Sequence, residues 1–344
     1  GMMLRLCILV LCAYTAWAQP GGNEVCCDEI PGLCFNDDPP FDHLPLPVCP
    51  DEIDVNMEVY TRSNPNNGQN LDRDSIPPAW DSGRRTLLMV HGWLGSSDHG
   101  YMHTMKDAWL ERGNYNVILV GWEESSQQIW YPASASDTRS VGAHIAAVYN
   151  NLIENGGASA EDFYCVGHSL GSHVCGHTGA HTQSLFGFTI GRISGLDPAG
   201  PLFEGKDWEV GLNPSCADFV DAMHTHGEPN VILNLGTMKV LGHVDFYPNE
   251  GDTQPGCILD PLKMDDDMSP ACSHMRAVHY YIESINTNCF LSRNDCSDQY
   301  DLPGSCTSYP TPVQAMGMDA DDSQYRDSGI FWLETNSATP FCQG

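Results

Sequence analysis

The sequence predicts an α/β fold built on a mostly parallel central sheet with helices on both faces. Three observations predict it. From Val55 onward, short apolar runs alternate with segments of helical period, the pattern of strands that need cover on two sides. One such run, Phe163-Tyr164-Cys165-Val166, leads into Gly167-His168-Ser169-Leu170-Gly171, a G-x-S-x-G between strand and helix. An acidic and a basic candidate, Asp197 and His274, then follow that serine in chain order.

Residues 1–18 read as a secretory signal, with Arg5 near the start, an apolar core from Leu6 to Cys12, and Ala16-Trp17-Ala18 as a small-residue cleavage site. Gly1, before Met2, reads as a scar. The apolar core is too short to span a bilayer and no later run approaches the required length, so no transmembrane segment is expected. A secreted, extracellular protein beginning near Gln19 is expected instead. Residues 19–50, rich in Pro, Cys and Asp without a sustained period, read as an irregular N-terminal segment tied by disulfides, and residues 51–344 as the main domain.

Within that domain Thr86 to Val90 forms an apolar strand ending at His91-Gly92. Met102, Met105 and Trp109 recur at helical spacing behind Ser97 and Asp98, which are the candidate caps. Asn116 to Val120 is a second buried strand. Val141, Ile145, Val148 and Leu152 mark a helix stopped by Gly156-Gly157. The strand before Ser169 comes next, then Arg192 to Leu196 and Phe219 to Met223. Met275, Val278, Ile282 and Ile285 form the stripe of a helix expected to begin immediately after His274. Sites in such sheets form at the carboxyl ends of strands, where Ser169, Asp197 and His91 fall.

The formal net charge of −30 argues against nucleic acid and anionic membranes as partners. Of fifteen cysteines, Cys7 and Cys12 leave with the signal; the remaining thirteen are odd in number, so at least one thiol lacks an intramolecular partner. Cys165 and Cys175, on buried-looking elements, read as core thiols. Cys289, Cys296, Cys306 and Cys342 read as a disulfide staple whose connectivity is open. His173, His177 and His181 recur every four residues, and three imidazoles can hold zinc. The stripe lacks the Glu of H-E-x-x-H and reads as surface or semi-buried, so no metal is expected there.

Ser169, Asp197 and His274 are the residue types that acyl transfer needs. A serine hydroxyl is a poor nucleophile until an imidazole takes its proton, and a buried carboxylate orients that imidazole. The backbone N–H groups of Leu170 and of Trp93, in His91-Gly92-Trp93, are the candidate donors to an oxyanion. His91 and His168 read as packing and hydrogen-bonding neighbours.

On these residues the chain resembles the pancreatic lipase family of secreted lipases and phospholipases A1. The resemblance runs from about Cys26 to the C-terminus. It covers the His91-Gly92-Trp93 loop, Gly167–Gly171, Gly195-Leu196-Asp197-Pro198-Ala199-Gly200-Pro201, Gly242-His243-Val244-Asp245-Phe246-Tyr247-Pro248-Asn249, and Cys272-Ser273-His274 followed by Arg276. It implies an α/β-hydrolase fold, with Ser169, Asp197 and His274 as triad and the amides of Trp93 and Leu170 as oxyanion hole. It also implies a disulfide between Cys257 and Cys272 that closes a lid over 257–272. There Ile258, Leu259, Leu262, Met264 and Met268 would cover an apolar cleft in water and turn towards lipid at an interface.

The implied function is a secreted serine carboxylic-ester hydrolase acting on lipid esters at oil–water or membrane interfaces. A triacylglycerol lipase working through an acyl-enzyme is the first reading. The lid looks shorter than in the family's typical triacylglycerol lipases, which fits a phospholipase A1 acting on glycerophospholipid or galactolipid. The segment from His226 to Cys257 looks full length, which fits a lipase. A non-catalytic lipid-binding or yolk-type protein is a third reading. The chain stops soon after Phe331-Trp332-Leu333-Glu334-Thr335, as in single-domain invertebrate members, so neither a C-terminal β-sandwich nor a colipase-like partner is expected. The family's calcium loop maps to Leu212–Ala217, with Asn213 and Cys216 at two positions where Asp ligands are expected. A thiol is a poor ligand for calcium, so no cofactor is expected. Gly121 stands where the family often has an Asp before Trp122.

Overall fold

The computed structural model describes residues 23–227, 234–257, 271–322, 324–325 and 328–343. The signal (1–18) and the apolar lid positions Ile258, Leu259, Leu262, Met264 and Met268 lie outside the described residues. An N-terminal hairpin of β1 (Glu24–Cys26) and β2 (Cys34–Asn36) precedes the main sheet. That sheet takes β3 (Asn56–Tyr60), β4 (Gln69–Asn70), β5 (Thr86–Val90), β6 (Asn116–Gly121), β7 (Phe163–His168), β8 (Ile190–Leu196), β9 (Ala217–Met223) and β10 (Val244–Pro248). After a small pair formed by β11 (Leu291–Ser292) and β14 (Gln314–Ala315), it is completed by β12 (Asn294–Cys296), β13 (Cys306–Ser308) and β15 (Gly329–Leu333). The spatial order is β13-β12-β15-β10-β9-β8-β7-β5-β6-β3-β4. From β15 to β6 every pairing is parallel, and antiparallel strands close both edges.

The continuous apolar runs make that sheet. Every residue of β5, β6, β7 and β10 is buried, as parallel strands covered on two faces must be. Because side chains alternate, one run supplies two cores. Leu88, Val90, Ile118, Val120 and Cys165 pack with Val141, Ile145 and Val148 of the Tyr131–Glu154 helix and Val174 of the Leu170–His181 helix. Leu87, Met89, Val117, Leu119 and Val166 pack on the other side, with Met102, Met105 and Trp109 of the Gly100–Arg112 helix and Val278 and Tyr281 of the Cys272–Ile285 helix. Each such fully buried aliphatic side chain stabilises the fold by about 1.5–3 kcal/mol. The fold is that of the α/β-hydrolases.

Three sequence expectations are corrected. The Gly100–Arg112 helix starts after His99 with no side-chain cap. Ser97, an expected cap, instead donates its N–H (2.7 Å) and hydroxyl (3.1 Å) to Glu123 Oε1. Cys165 and Cys175 are not thiols but a disulfide, since the helix folds back along β7 and brings their Cα atoms to 5.8 Å. Burial alone does not separate a core thiol from a core disulfide. The histidine stripe is not superficial either: His173 and His177 are buried, because the Tyr131–Glu154 helix lies across that face. A Cβ at Gly142 would stand 2.7 Å from His177 Cβ. His173 donates from Nε2 to Ala199 O (2.9 Å), accepts from Leu212 N (3.2 Å), and stacks on Phe203.

The remaining disulfides join Cys26 to Cys34, Cys27 to Cys49, Cys257 to Cys272, Cys289 to Cys342 and Cys296 to Cys306. Among the described residues Cys216 is the free cysteine, and it is buried. No described helix is long and apolar enough to cross a membrane.

Candidate active site

Ser169 joins β7 to the Leu170–His181 helix with φ 57° and ψ −122°. A non-glycine residue held there costs about 1–3 kcal/mol. The flanking glycines make the turn possible: a Cβ at 167 would lie 2.1 Å from Gly171 O, and one at 171 would lie 2.2 Å from Val90 O. The Ser169 N–H donates to Leu196 O at 3.0 Å, which docks the turn on the next strand. Among the described residues six non-glycines have positive φ, and three of them, Leu94, Ser169 and Asp197, sit at strand ends around this turn. Strain is concentrated where chemistry is expected.

Asp197, one residue past β8, is fully buried. Its Oδ1 accepts from the backbone N–H of Thr225 (2.8 Å) and His226 (3.1 Å), and its Oδ2 accepts from His274 Nδ1 at 2.5 Å. Burial pushes this carboxyl up. The hydrogen bond and charge of His274, with His226 and the Thr225 amide, outweigh burial and hold it below its usual range.

His274 lies in the first turn of the Cys272–Ile285 helix and is 5% exposed. That turn is fixed by Ser273, whose hydroxyl accepts from Gln254 N at 2.9 Å. His168, the residue before Ser169, lies with its ring 4.5 Å from the His274 ring and donates from Nε2 to His274 O at 3.2 Å. Burial, with the neighbouring His274, lowers His168 to about 3. It is therefore a neutral packing partner. With Nδ1 of His274 committed to Asp197, Nε2 is the nitrogen left to take a proton from an alcohol.

Gly92 lies against Ser169: a Cβ there would be 2.6 Å from Ser169 Cβ and 3.1 Å from Oγ. The backbone N–H groups of Trp93 and Leu170, on either side of this contact, carry no hydrogen bond to a described residue. His91 supports the loop from beneath. Its ring stacks on Trp122, donates from Nδ1 to Gly92 O (3.0 Å) and accepts from Trp122 N (3.3 Å). Gly121 has a local reason. A Cβ there would stand 2.6 Å from Glu123 Oε2 and 2.8 Å from Ser97 Oγ, so the Glu123 carboxylate occupies the space a residue-121 side chain would need.

Thr225, His226 and Gly236 were not singled out from the sequence. A Cβ at 236 would fall 2.4 Å from Asp197 Oδ1, so only glycine lets that loop close over the carboxylate. The available signal was position: His224-Thr225-His226 directly follows β9, the strand beside Asp197. A second pair was also missed. His224 and Asp245, both fully buried, meet at 2.8 Å between Nε2 and Oδ1.

The Leu212–Ala217 loop does not offer calcium a fitting donor set. Asn213 Oδ1 accepts from Ser215 N (2.9 Å) and Oγ (2.6 Å), while its Nδ2 donates to Trp208 O and Gly211 O, both at 3.1 Å. Burial pushes the Cys216 thiol up to about 11. The Asn213 side-chain oxygen is already engaged, and the Cys216 sulfur is a neutral thiol.

A family model described as Lipase matches residues 23–341. Pancreatic triacylglycerol lipase of Myocastor coypus is 34% identical over 346 residues, 93% of this chain and 74% of the relative. The Homo sapiens pancreatic triacylglycerol lipase is 32% identical over 347 residues, 94% of this chain and 73% of the relative. Inactive pancreatic lipase-related protein 1 of Mus musculus is 33% identical over 348 residues, covering 94% and 72%.

Proposed function

This chain belongs to the lipase family, and we propose that it is a secreted carboxylic-ester hydrolase that cleaves triacylglycerol through an acyl-enzyme. The reading is carried by the buried Asp197–His274 hydrogen bond taken together with a strained, glycine-flanked Ser169. Ser169 Oγ attacks the ester carbonyl while His274 Nε2 accepts its proton. The tetrahedral oxyanion is held by the N–H groups of Trp93 and Leu170. The C–O bond to the alcohol breaks as His274 returns the proton to the leaving oxygen. Water, deprotonated by the same nitrogen, then releases the fatty acid and restores the serine. Asp197 keeps the imidazole oriented and stabilises its charged form. Losing one oxyanion donor raises the barrier by about 2.7–4 kcal/mol.

The six disulfides among the described residues fit an oxidising, extracellular compartment, and the reaction is proposed to run without cofactor, calcium or colipase. A second reading, phospholipase A1, is favoured by the short span of 15 between Cys257 and Cys272, which bracket the lid. The deciding experiment pairs two substrates. Wild type releases fatty acid from a triacylglycerol emulsion and not from phosphatidylcholine vesicles, and Ser169→Ala abolishes release without moving the melting temperature. The reverse substrate pattern makes the chain a phospholipase A1. A folded wild type that cleaves neither lipid, nor a soluble short-chain ester, leaves the non-catalytic reading that the word "inactive" in the mouse relative's name brings to mind.

A further inference from the structure

We propose that Ile129 and Trp130, with Leu94, form an uncharged anchor by which the rim of the cleft inserts into a neutral or zwitterionic lipid surface. The proposal rests on the reading of the chain as a lipid esterase and adds how, and on which surface, it settles.

These three residues are among the few large apolar side chains the fold leaves in water, at 64%, 55% and 43% exposure. They come from two loops stitched into one. Leu94 N donates to Ser126 O (2.8 Å), Trp93 Nε1 to Gln128 O (2.9 Å), and Gln127 Nε2 to Gly95 O (3.3 Å). The Trp93 ring meets Tyr131 edge to face, with centroids 5.2 Å apart. Tyr131 in turn donates its hydroxyl to Pro201 O (3.1 Å), on the loop that carries Asp197. Through Gly92, which touches Ser169, and through Pro201, the rim is therefore fixed to the site on two sides. Leu94 is held at φ 58°, a left-handed conformation that leucine avoids, and its side chain points to solvent. No described residue is shown using that exposure.

The chemistry of the rim selects the surface. Tryptophan and branched aliphatic side chains partition to the boundary between water and acyl chains. Segments 86–105 and 113–138 contain no Lys or Arg, whereas Asp98, Glu123 and Glu124 lie beside the apolar tip, and the whole chain carries −30. An anionic lipid surface would repel this face; phosphatidylcholine or an acylglycerol droplet would not.

The test floats full-length Ser169→Ala protein with phosphatidylcholine vesicles, and with vesicles in which about a third of the lipid is phosphatidylserine. The same is done after adding Ile129→Ser and Trp130→Ser. The paired change should weaken partition on the order of tenfold, and phosphatidylserine should weaken it for both proteins. With Ser169 present, the paired variant should hydrolyse a soluble short-chain ester at the parent's rate and lose activity on an emulsion. Equal flotation of parent and variant overturns the proposal. So does tighter binding to phosphatidylserine, or a parent dimer on size-exclusion that the variant loses while flotation is unchanged, since the patch would then seat a second copy. A Ser169→Ala protein that floats, whose folded Ser169 counterpart cleaves no ester, overturns the esterase reading alone and leaves the anchor standing.

Discussion

Two aspartate–histidine pairs lie at the carboxyl end of this sheet, and they differ in one nitrogen. In the first, His274 gives Nδ1 to Asp197, and its Nε2 makes no hydrogen bond to a described residue. In the second, His224 gives Nε2 to Asp245 at 2.8 Å and Nδ1 to Thr237 O at 2.7 Å, and its ring stacks on Tyr247. Asp245 is also satisfied, accepting from Leu241 N and Gly242 N, each at 2.9 Å. One strand end feeds both pairs. After β9 the chain places the His224 ring on Asp245, then turns the amides of Thr225 and His226 onto Asp197. What separates a reactive imidazole from a structural one here is neither burial nor its carboxylate, since both pairs have these. It is whether the fold leaves the second nitrogen without a hydrogen bond to a described residue.

The comparison is broken most severely at the first carboxylate. Asp197→Asn keeps the shape but presents an amide where His274 needs an acceptor, so the imidazole loses its orienting partner. We expect kcat per folded molecule to fall by about 10⁴-fold, with a stability cost of about 2–4 kcal/mol, because Asp197 too accepts three hydrogen bonds in the interior. Steady-state kinetics on a soluble ester and calorimetry on the same sample check both halves. A loss of fold rather than rate would erase the distinction drawn above.

Asp245→Asn should cost stability without that loss of rate. It removes a carboxylate that accepts three hydrogen bonds in a dry interior, and the remaining amide cannot accept them all. The expected cost is about 2–4 kcal/mol of stability, read by denaturant titration, with kcat per folded molecule within about threefold of wild type. If activity instead falls with the severity seen at Asp197, the second pair is coupled to the chemistry and is not merely holding β10 and the loop before it.

The unequal legibility of the two pairs in the sequence has a physical cause. Ser169, Asp197 and His274 sit in short segments whose chemistry shows locally: glycines at an elbow, an Asp just past a strand, a His opening a helix. The alternating apolar runs likewise specified the parallel sheet and its two cores, because period-2 side chains can be counted without coordinates. His224 and Asp245 carry no such local mark. They meet only through the register of β9 on β10, where Asp221 pairs with Val244. The Cys165–Cys175 link was missed for a related reason, since it depends on how steeply the helix folds back after Ser169. The buried His173 and His177 required knowing that a second helix crosses theirs at Gly142.

Acid sharpens the comparison next. Burial is the leading cause that lowers His91, His144, His173 and His226 to about 4 and His168 to about 3. Unfolded, these imidazoles titrate near 6.5. Between those values the unfolded chain binds more protons than the native one, so stability rises with pH and is lost as pH falls from about 6.5 towards 4. Asp197, depressed in the fold, loses its contribution only below that window, as pH falls through its folded value. The melting temperature should therefore drop steeply between pH 6.5 and 4.5, a window set by histidine and not by the Asp197 carboxylate. A flat profile across it would mean these rings are reached by water.

The smallest effect is expected at His226, which stands between the two pairs. Its side chain offers a ligand atom within 4.8 Å of those of Asp197 and His274, close enough to suggest a third participant in proton transfer. Two features argue otherwise. Burial holds the ring near 4, so it is neutral at pH 7 and its charge acts on Asp197 only in acid. The contact that does hold Asp197 is the His226 backbone N–H at 3.1 Å, which any non-proline residue retains. His226→Asn should accordingly change kcat on a soluble ester by less than about threefold at pH 7, where a single neutral hydrogen-bonding group contributes on the order of 1 kcal/mol at most. A loss of a hundredfold or more, with the melting temperature preserved, would show that the ring itself relays a proton and that the boundary between the open pair and the sealed one runs on the wrong side of residue 226.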